Sequence, residues 1–243
     1  MTGHRADDGA DHRPLLHALP SGGGSTALFA GWARALHPHA ETVPLELAGR
    51  GRRIAEHPPQ TLTAHTDALL AARTPPPGRR WVLFGHSFGA LLAADWAARA
   101  HAAGRGPDLL VVSGAAPPWL HSTAAALDLP EDELWPALER LGGIPDQLRA
   151  NPVARRLLGR ALTADIRAAA RHRPAAPAPA GCPVLAVRGT GDPLVTEALG
   201  RRWADASDGR FDYRELPGGH FYRSGLDDLL PLLTAALTPS AVR

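Results

Sequence analysis

Short apolar segments alternate with stretches of helical period along most of this chain. That alternation leaves a parallel sheet flanked by helices as the architecture it can adopt. The segments that read as strands are Leu15 to Leu19, Val43 to Leu47, Trp81 to Phe84, Leu109 to Ser113, Val184 to Arg188 and Phe211 to Leu216. Helical stretches follow most of them. Ala27 to Leu36 places Leu28, Trp32 and Leu36 on one face at i, i+4 and i+8. Leu62 to Ala72 reads as a helix stopped by Thr74-Pro75-Pro76-Pro77-Gly78, and Phe88 to Ala103 follows the third strand. Glu197 to Ala206 and Leu226 to Leu237 complete the set, and no internal repeat is present.

The alternation breaks between Ser113 and Cys182, where two helical segments stand instead of a strand. The first starts near Pro130, with Glu131, Asp132 and Glu133 at the positive end of a helix and Leu134, Leu138 and Leu141 on one face. Pro136 should kink it and Gly142-Gly143 ends it. The second has Asn151 as cap and Pro152 in its first turn, then Val153, Leu157, Leu158, Leu162 and Ile166 on one side. Pro174 stops it, and a Pro/Ala linker returns to the sheet. Helices inserted after a strand, over the C-terminal edge of an open sheet, lie where ligands bind. Residues 114–181 are therefore expected to form a lid, the alternative being a helical decoration with no part in binding.

The chemistry centres on Gly85-His86-Ser87-Phe88-Gly89, a G-x-S-x-G sequence between a strand and a helix. Glycines at both ends remove the side chains that would clash in so sharp a corner, and Ser87 is presented at a helix N-terminus as a nucleophile. Serine needs an adjacent base. Among 12 histidines, His220 stands out, in Pro217-Gly218-Gly219-His220-Phe221 between the last strand and the last helix. His86 is too close in sequence to reach round to Ser87. The base needs an acid to hold its tautomer. Asp192, in the loop after Val184 to Arg188, gives the chain order Ser, Asp, His of the α/β-hydrolase fold. Asp95 is the rival acid, and a helix cap is the rival role for Asp192. The oxyanion donors are expected at the Phe88 N–H and at Gly22, in the loop Pro20 to Ser25 after the first strand. That glycine run lacks the Gly-Lys-Ser/Thr ending of a phosphate loop.

Composition narrows the classes. The chain has 243 residues, 44% hydrophobic and 21% charged, with a formal charge of +2. At this length roughly 70% of the unfolded surface can be buried without a disulfide or metal staple. One α/β-hydrolase domain is expected over residues 14–243. The small net charge argues against a nucleic-acid partner, and no apolar run approaches the ~20 residues of a membrane span. Met1 to Arg13 lacks an apolar signal core and reads as a loose tail, which places the protein in the cytoplasm. Every one of the 26 basic residues is arginine. The densest cluster, Arg50 to Arg53, reads either as a solvated loop or as an anion-binding or docking patch. The single cysteine, Cys182, reads as an inert core residue.

From about Leu19 to Tyr222 the sequence resembles the type II thioesterases that accompany modular polyketide and nonribosomal peptide synthases. The matching pieces are Pro20 to Ser25 followed by Phe29 and Trp32; Gly49-Arg50 with Arg53; Gly85-His86-Ser87-Phe88-Gly89-Ala90; Leu129-Pro130 with Leu141-Gly142-Gly143; Ala164-Asp165; Asp192-Pro193-Leu194-Val195; and Gly218-Gly219-His220-Phe221. The resemblance implies hydrolysis of acyl thioesters held on the phosphopantetheine arm of acyl or peptidyl carrier proteins. It implies no metal or other cofactor, and a monomer that meets a mobile carrier partner. The chain departs from the family pattern at Ser21-Gly22, where His-Ala is usual, and at Ala48, where Pro is usual. It departs again after Asp165, where Ala170, His172 and Pro174 replace a Glu and tyrosines. The same triad would also serve a carboxylesterase acting on small oxygen esters, or an acyltransferase or cyclase. A non-catalytic accessory on a hydrolase scaffold is the alternative of another class.

Overall fold

The computed structural model describes residues 12–73, 77–120, 133, 136 and 152–238. Six strands form one parallel sheet: β1 (Leu15–Leu19), β2 (Glu41–Pro44), β3 (Trp81–His86), β4 (Leu109–Ser113), β5 (Val184–Gly189) and β6 (Phe211–Leu216), in the order β2-β1-β3-β4-β5-β6. Among the described residues the helices with defined bounds are α1 (Trp32–Ala35), α2 (Leu62–Ala72), α3 (Phe88–Ala102), α4 (Pro152–Arg171), α5 (Glu197–Arg201) and α6 (Leu230–Leu237). The central strands are buried on both sides, which is why they read as nearly continuous apolar runs. Their side chains alternate between two cores. Leu15, Leu19, Leu83, Leu110, Val112 and Ala186 face α2, α3 and Trp203. Leu16, Ala18, Val82, Phe84, Val111 and Val187 face Phe29, Trp32 and α6. The sheet is therefore wound on both faces.

Three strands, Leu15–Leu19, Leu109–Ser113 and Phe211–Leu216, keep the bounds read from sequence, and so does α2. The third and fifth strands and α3 shift by one or two residues at their C-terminal ends, and other elements differ more. The second strand is Glu41–Pro44 rather than Val43 to Leu47. The Leu45 N–H still donates to Ala18 O at 2.9 Å, but Pro44 offers the ladder no N–H, and the chain then leaves the sheet with Leu45 and Leu47 buried in the core that holds Leu62, Leu69 and Phe88. The helix expected over Ala27 to Leu36 is split into a 3₁₀ turn, Thr26–Phe29, and α1. Gly31 separates them at φ 89°, a left-handed conformation that no helix contains. The last two helical stretches likewise join a 3₁₀ turn to an α-helix, at Arg202–Ala206 and Leu226–Leu229.

Of the insertion, Glu133 and Pro136 are helical, and α4 begins at Pro152. The Asn151 cap, the remainder of the first helix and residues 1–11 of the tail lie outside the described residues. The face of α4 turned to the body is not the stripe expected from sequence. Leu162 is buried, but Val153 is 55% exposed, and alanines 161, 164, 168, 169 and 170 carry the contact. Small side chains let the helix lie close to α2 and α3.

One core polar residue sets an acid limit on stability. His17 on β1 stacks on Trp96, with ring centroids 5.4 Å apart, and its Nδ1 accepts from Trp81 Nε1 at 3.1 Å. Burial, with the charges of Arg73 and Arg79 adding to it, brings its pKa down to about 4 from 6.5. Between pH 6.5 and 4 the unfolded chain takes up a proton that the folded chain refuses. Stability is therefore lost as pH falls through this window, by about 3 kcal/mol in total at roughly 1.4 kcal/mol per pKa unit. Urea unfolding from pH 4 to 7 is expected to show this slope in the native chain. In His17→Phe the slope is shallower by about one proton, with His65, His86 and His172, which burial shifts the same way, contributing to the remainder.

Candidate active site

At the C-terminal end of β3 the chain turns directly into α3, and Ser87 occupies the corner with φ 55° and ψ −117°. Ser87 and Tyr222 are the non-glycine residues at positive φ among those described. A β-carbon at Gly85 would collide with the Gly89 carbonyl oxygen. One at Gly89 would collide with the Leu19 carbonyl and lie 2.5 Å from Pro20 O. The corner is therefore closed by backbone on backbone, which only glycine permits. The Ser87 N–H donates to Ser113 O at 2.8 Å, pinning the turn to the end of β4.

The loops after β5 and β6 meet beside this corner. Thr190 N–H donates to Leu216 O and Gly191 N–H to Gly218 O, both at 2.8 Å. A β-carbon at Gly189 would strike Gly219 O. This lacing brings the carboxylate of Asp192 to the imidazole of His220, with Oδ2 2.9 Å from Nδ1, and both side chains are almost wholly buried. With Nδ1–H donated to the carboxylate, the ring keeps Nε2 as its free base. The second Asp192 oxygen accepts the Leu194 N–H at 2.8 Å. The capping role is taken elsewhere, since Thr196 caps α5. Asp95, the rival acid, is paired instead with Arg99 at 3.7 Å and lines a small cleft with Trp119 and His172.

The ring of His86, the neighbour of Ser87, lies 5.0 Å from the ring of His220. His86 is fully buried. Its Nδ1 is 2.9 Å from Ser113 Oγ, which is 2.6 Å from the Tyr222 hydroxyl. Burial, and then the charge of His220, hold His86 well below the usual histidine range, so it stays neutral. Ser113 and Tyr222 drew no attention in the sequence. Their only signal was position, one at a strand's C-terminal end and one two residues past His220.

Gly22 and Phe88 are also brought together. Phe88 is the first residue of α3, where N–H groups have no intrahelical acceptor. A β-carbon built on Gly22 would sit 3.7 Å from Phe88 Cβ. The loop between them and β1 turns tightly, with Gly24 N–H donating to Ser21 O at 2.9 Å and Gly23 at φ 68°. The basic cluster at Arg50 to Arg53 divides by residue. Arg50 is wholly buried against Asp165, Arg53 pairs with Glu56 at 2.6 Å, and Arg52 is exposed. Cys182 is buried, and burial raises its thiol to about 12, which leaves it unreactive. Among the described residues no group of three or more His, Cys, Asp or Glu side chains could hold a metal ion, and no helix is long and apolar enough to cross a membrane.

Residues 14–237 match the family model described as a thioesterase domain. A probable cadicidin biosynthesis thioesterase of Streptomyces griseus is 29% identical over 92% of this chain, which spans 62% of that protein's length. Thioesterase PikA5 of Streptomyces venezuelae is 32% identical over 85% of this chain and 74% of its own. In three dimensions the chain is similar to the RedJ thioesterase from the prodiginine biosynthetic pathway of Streptomyces coelicolor. The TM-score is 0.81 and the identity 33%, covering 91% of this chain and 85% of that one.

Proposed function

The chain belongs to the thioesterase-domain family, and from that premise we propose that it is an editing, type II thioesterase of polyketide or nonribosomal peptide synthesis, releasing acyl groups from the phosphopantetheine arms of carrier proteins. The observation that supports this most is the buried pair His220–Asp192, 2.9 Å apart, with the His220 ring 5.0 Å from the ring of His86, the neighbour of a strained serine, in a chain of this family. Ser87, His220 and Asp192 form the triad. Ser87 Oγ attacks the thioester carbonyl as His220 Nε2 takes its proton. The oxyanion is held by the N–H groups of Gly22 and Phe88. Collapse breaks the carbon–sulfur bond, and the departing thiolate sulfur takes the proton from the His220 imidazolium and leaves as the thiol. Water, deprotonated by the same nitrogen, then releases the acid from Ser87. Asp192 holds the tautomer and stabilises the imidazolium. The scheme draws on no metal or cofactor, since the pantetheine belongs to the partner. We read the protein as one cytoplasmic, monomeric hydrolase domain over residues 14–243, its insertion at about 114–181 acting as the lid that admits the arm.

Free acid should be released from short-chain acyl carrier proteins far faster than from small oxygen esters. A preference for oxygen esters would assign the triad to a carboxylesterase. The acid is tested separately. Asp192→Asn is expected to lower kcat by about 10⁴-fold, the size of effect seen when a triad histidine is left in the wrong tautomer. Asp95→Asn should stay within a factor of about two, as expected for a partly exposed charge away from the triad. The reverse result, read from steady-state acid release, would move the acid to Asp95.

A further inference from the structure

The buried ion pair between Arg50 and Asp165 is not used in the scheme above. Both side chains are fully excluded from solvent, and the contact is bidentate, at 2.5 and 2.9 Å. The two residues are 115 positions apart in the chain, Arg50 after β2 and Asp165 on α4. A buried ion pair adds little net stability against an apolar replacement, so its value lies in fixing geometry. Its surroundings indicate which geometry. Asp165 Oδ2 also accepts the Gly23 N–H at 2.8 Å, and Arg50 reaches Gly24 O at 3.4 Å and Ala48 O at 3.3 Å. One guanidinium and one carboxylate thus hold the glycine loop from both sides.

The loop could not hold itself. Gly22, Gly23 and Gly24 carry no side chains to pack. Within the turn, the Ser21 carbonyl points inward to Gly24 N–H, so the Gly22 N–H, on the opposite edge of that trans peptide, points outward. The next peptide plane is set by Asp165 through Gly23 N–H. A β-carbon on Gly22 would sit 3.6 Å from Asp165 Cβ and 3.7 Å from Phe88 Cβ, so the loop is wedged between α4 and the nucleophile corner. The second donor is braced from the same point. His65 Nε2 lies 3.4 Å from Asp165 Oδ1, and the His65 ring packs edge-on against Phe88 at 5.3 Å. Burial lowers the His65 pKa and keeps that ring neutral, so it touches the pair without competing for its charge.

We propose that Arg50 and Asp165 are positioning residues for the oxyanion donors, with Asp165 fixing the Gly22–Gly24 turn so that the Gly22 N–H faces the Phe88 N–H across the reacting carbonyl. The pair touches no substrate. It acts through the backbone and affects only the tetrahedral state, where the donors are used. The inference rests on the hydrolytic reading given above.

Asp165→Asn keeps the shape but removes the charge that lets one group serve Arg50 and Gly23 together. Arg50→Lys keeps the charge but loses the fork. Each full-length variant is titrated to its endpoint with a fluorophosphonate, so that rates are counted per competent Ser87. The assay then measures kcat and KM on a short-chain acyl N-acetylcysteamine thioester, and the dissociation constant of a trifluoromethyl ketone that forms a tetrahedral Ser87 adduct. For Asp165→Asn, kcat per titrated site should fall about 10- to 100-fold, less than outright loss of a donor, with KM nearly unchanged. Ketone affinity should fall by the same factor, and Arg50→Lys should show a smaller fall of both. A role in folding alone would reduce the titratable fraction and leave kcat per site and ketone affinity unmoved, and that result overturns the proposal. If Asp165→Asn does not fold, Arg50→Lys decides by the same two readouts. If the native chain bound the ketone but released no acid, the hydrolytic reading would fall and the ratio of ketone affinities would still decide the positioning role. If the native chain formed no ketone adduct, both would fall.

Discussion

Ser87→Ala is expected to lose acid release by at least about 10⁴-fold while keeping its fold, because removal of a triad serine leaves only what binding and the oxyanion donors supply. The geometry makes the loss sharp. The corner at φ 55° holds the side chain where no neighbour on the same loop could replace it, and His86, the nearest other base in sequence, is buried and already bonded to Ser113. Intact-mass analysis after mixing with an acyl carrier protein should show the acyl group on the native enzyme before release, and none on the variant. An acylated Ser87→Ala would mean another nucleophile. The strained backbone gives a second readout. Ser87→Gly is equally inactive but should unfold at higher temperature than Ser87→Ala, since only glycine relaxes at positive φ, a difference of about 1 kcal/mol. Equal melting temperatures would show that the corner stores no strain.

A large loss of stability is expected at Gly89. A methyl group there would press on the carbonyls of Leu19 and Pro20, both of them backbone and neither able to swing aside. Either α3 must lift from the end of β1 or the sheet must part between β1 and β3. Gly89→Ala is therefore expected to lose more than about 4 kcal/mol, in the range reserved for severe overpacking and strain, and to be recovered mainly as insoluble chain. Gly219→Ala is the matched control. It lies in the loop beside His220, yet a β-carbon there meets nothing within 4 Å and its φ is not in the left-handed region. It should change stability by no more than about 0.5 kcal/mol. Urea denaturation of the two soluble fractions compares them. Similar stabilities would show that the corner tolerates a side chain and that its glycines are not required sterically.

The parts of this molecule that could be read in advance are those whose cause is local. A strand buried on both faces is apolar at most of its positions, so Leu15–Leu19 and Leu109–Ser113 show themselves in sequence. A nucleophile corner needs its two glycines, and Asp192 and His220 each follow a strand in a glycine-rich loop. Features set by conformation or by distant partners did not show. Nothing in the period of Leu28, Trp32 and Leu36 reports that Gly31 turns left-handed and breaks the helix. The shift of β2 comes from Pro44 ending a ladder whose register the sequence does not carry. Arg50 and Asp165 could not be paired, because charge patterning along a helix reaches only three or four residues and these lie 115 apart. By charge patterning alone Arg50 is indistinguishable from its exposed neighbour Arg52.

The helix α4 has two allegiances. From Pro152 to about Arg160 the side chains described are exposed or half-exposed, whereas from Ala161 to Ala170 most are buried against the body, with Asp165 among them. If Arg50 and Asp165 position the oxyanion donors and the insertion acts as the lid, as proposed above, the seam between exchangeable and fixed sequence falls inside a continuous helix, not at the loop where the insertion begins or the linker where it ends. A recombinant that took its whole insertion from a relative would import a foreign partner for Arg50. One joined near Arg160 would change the cover and keep the machinery. Divergence in what such enzymes accept can then accumulate on one side of a single helical turn while the other side stays under the constraint of catalysis.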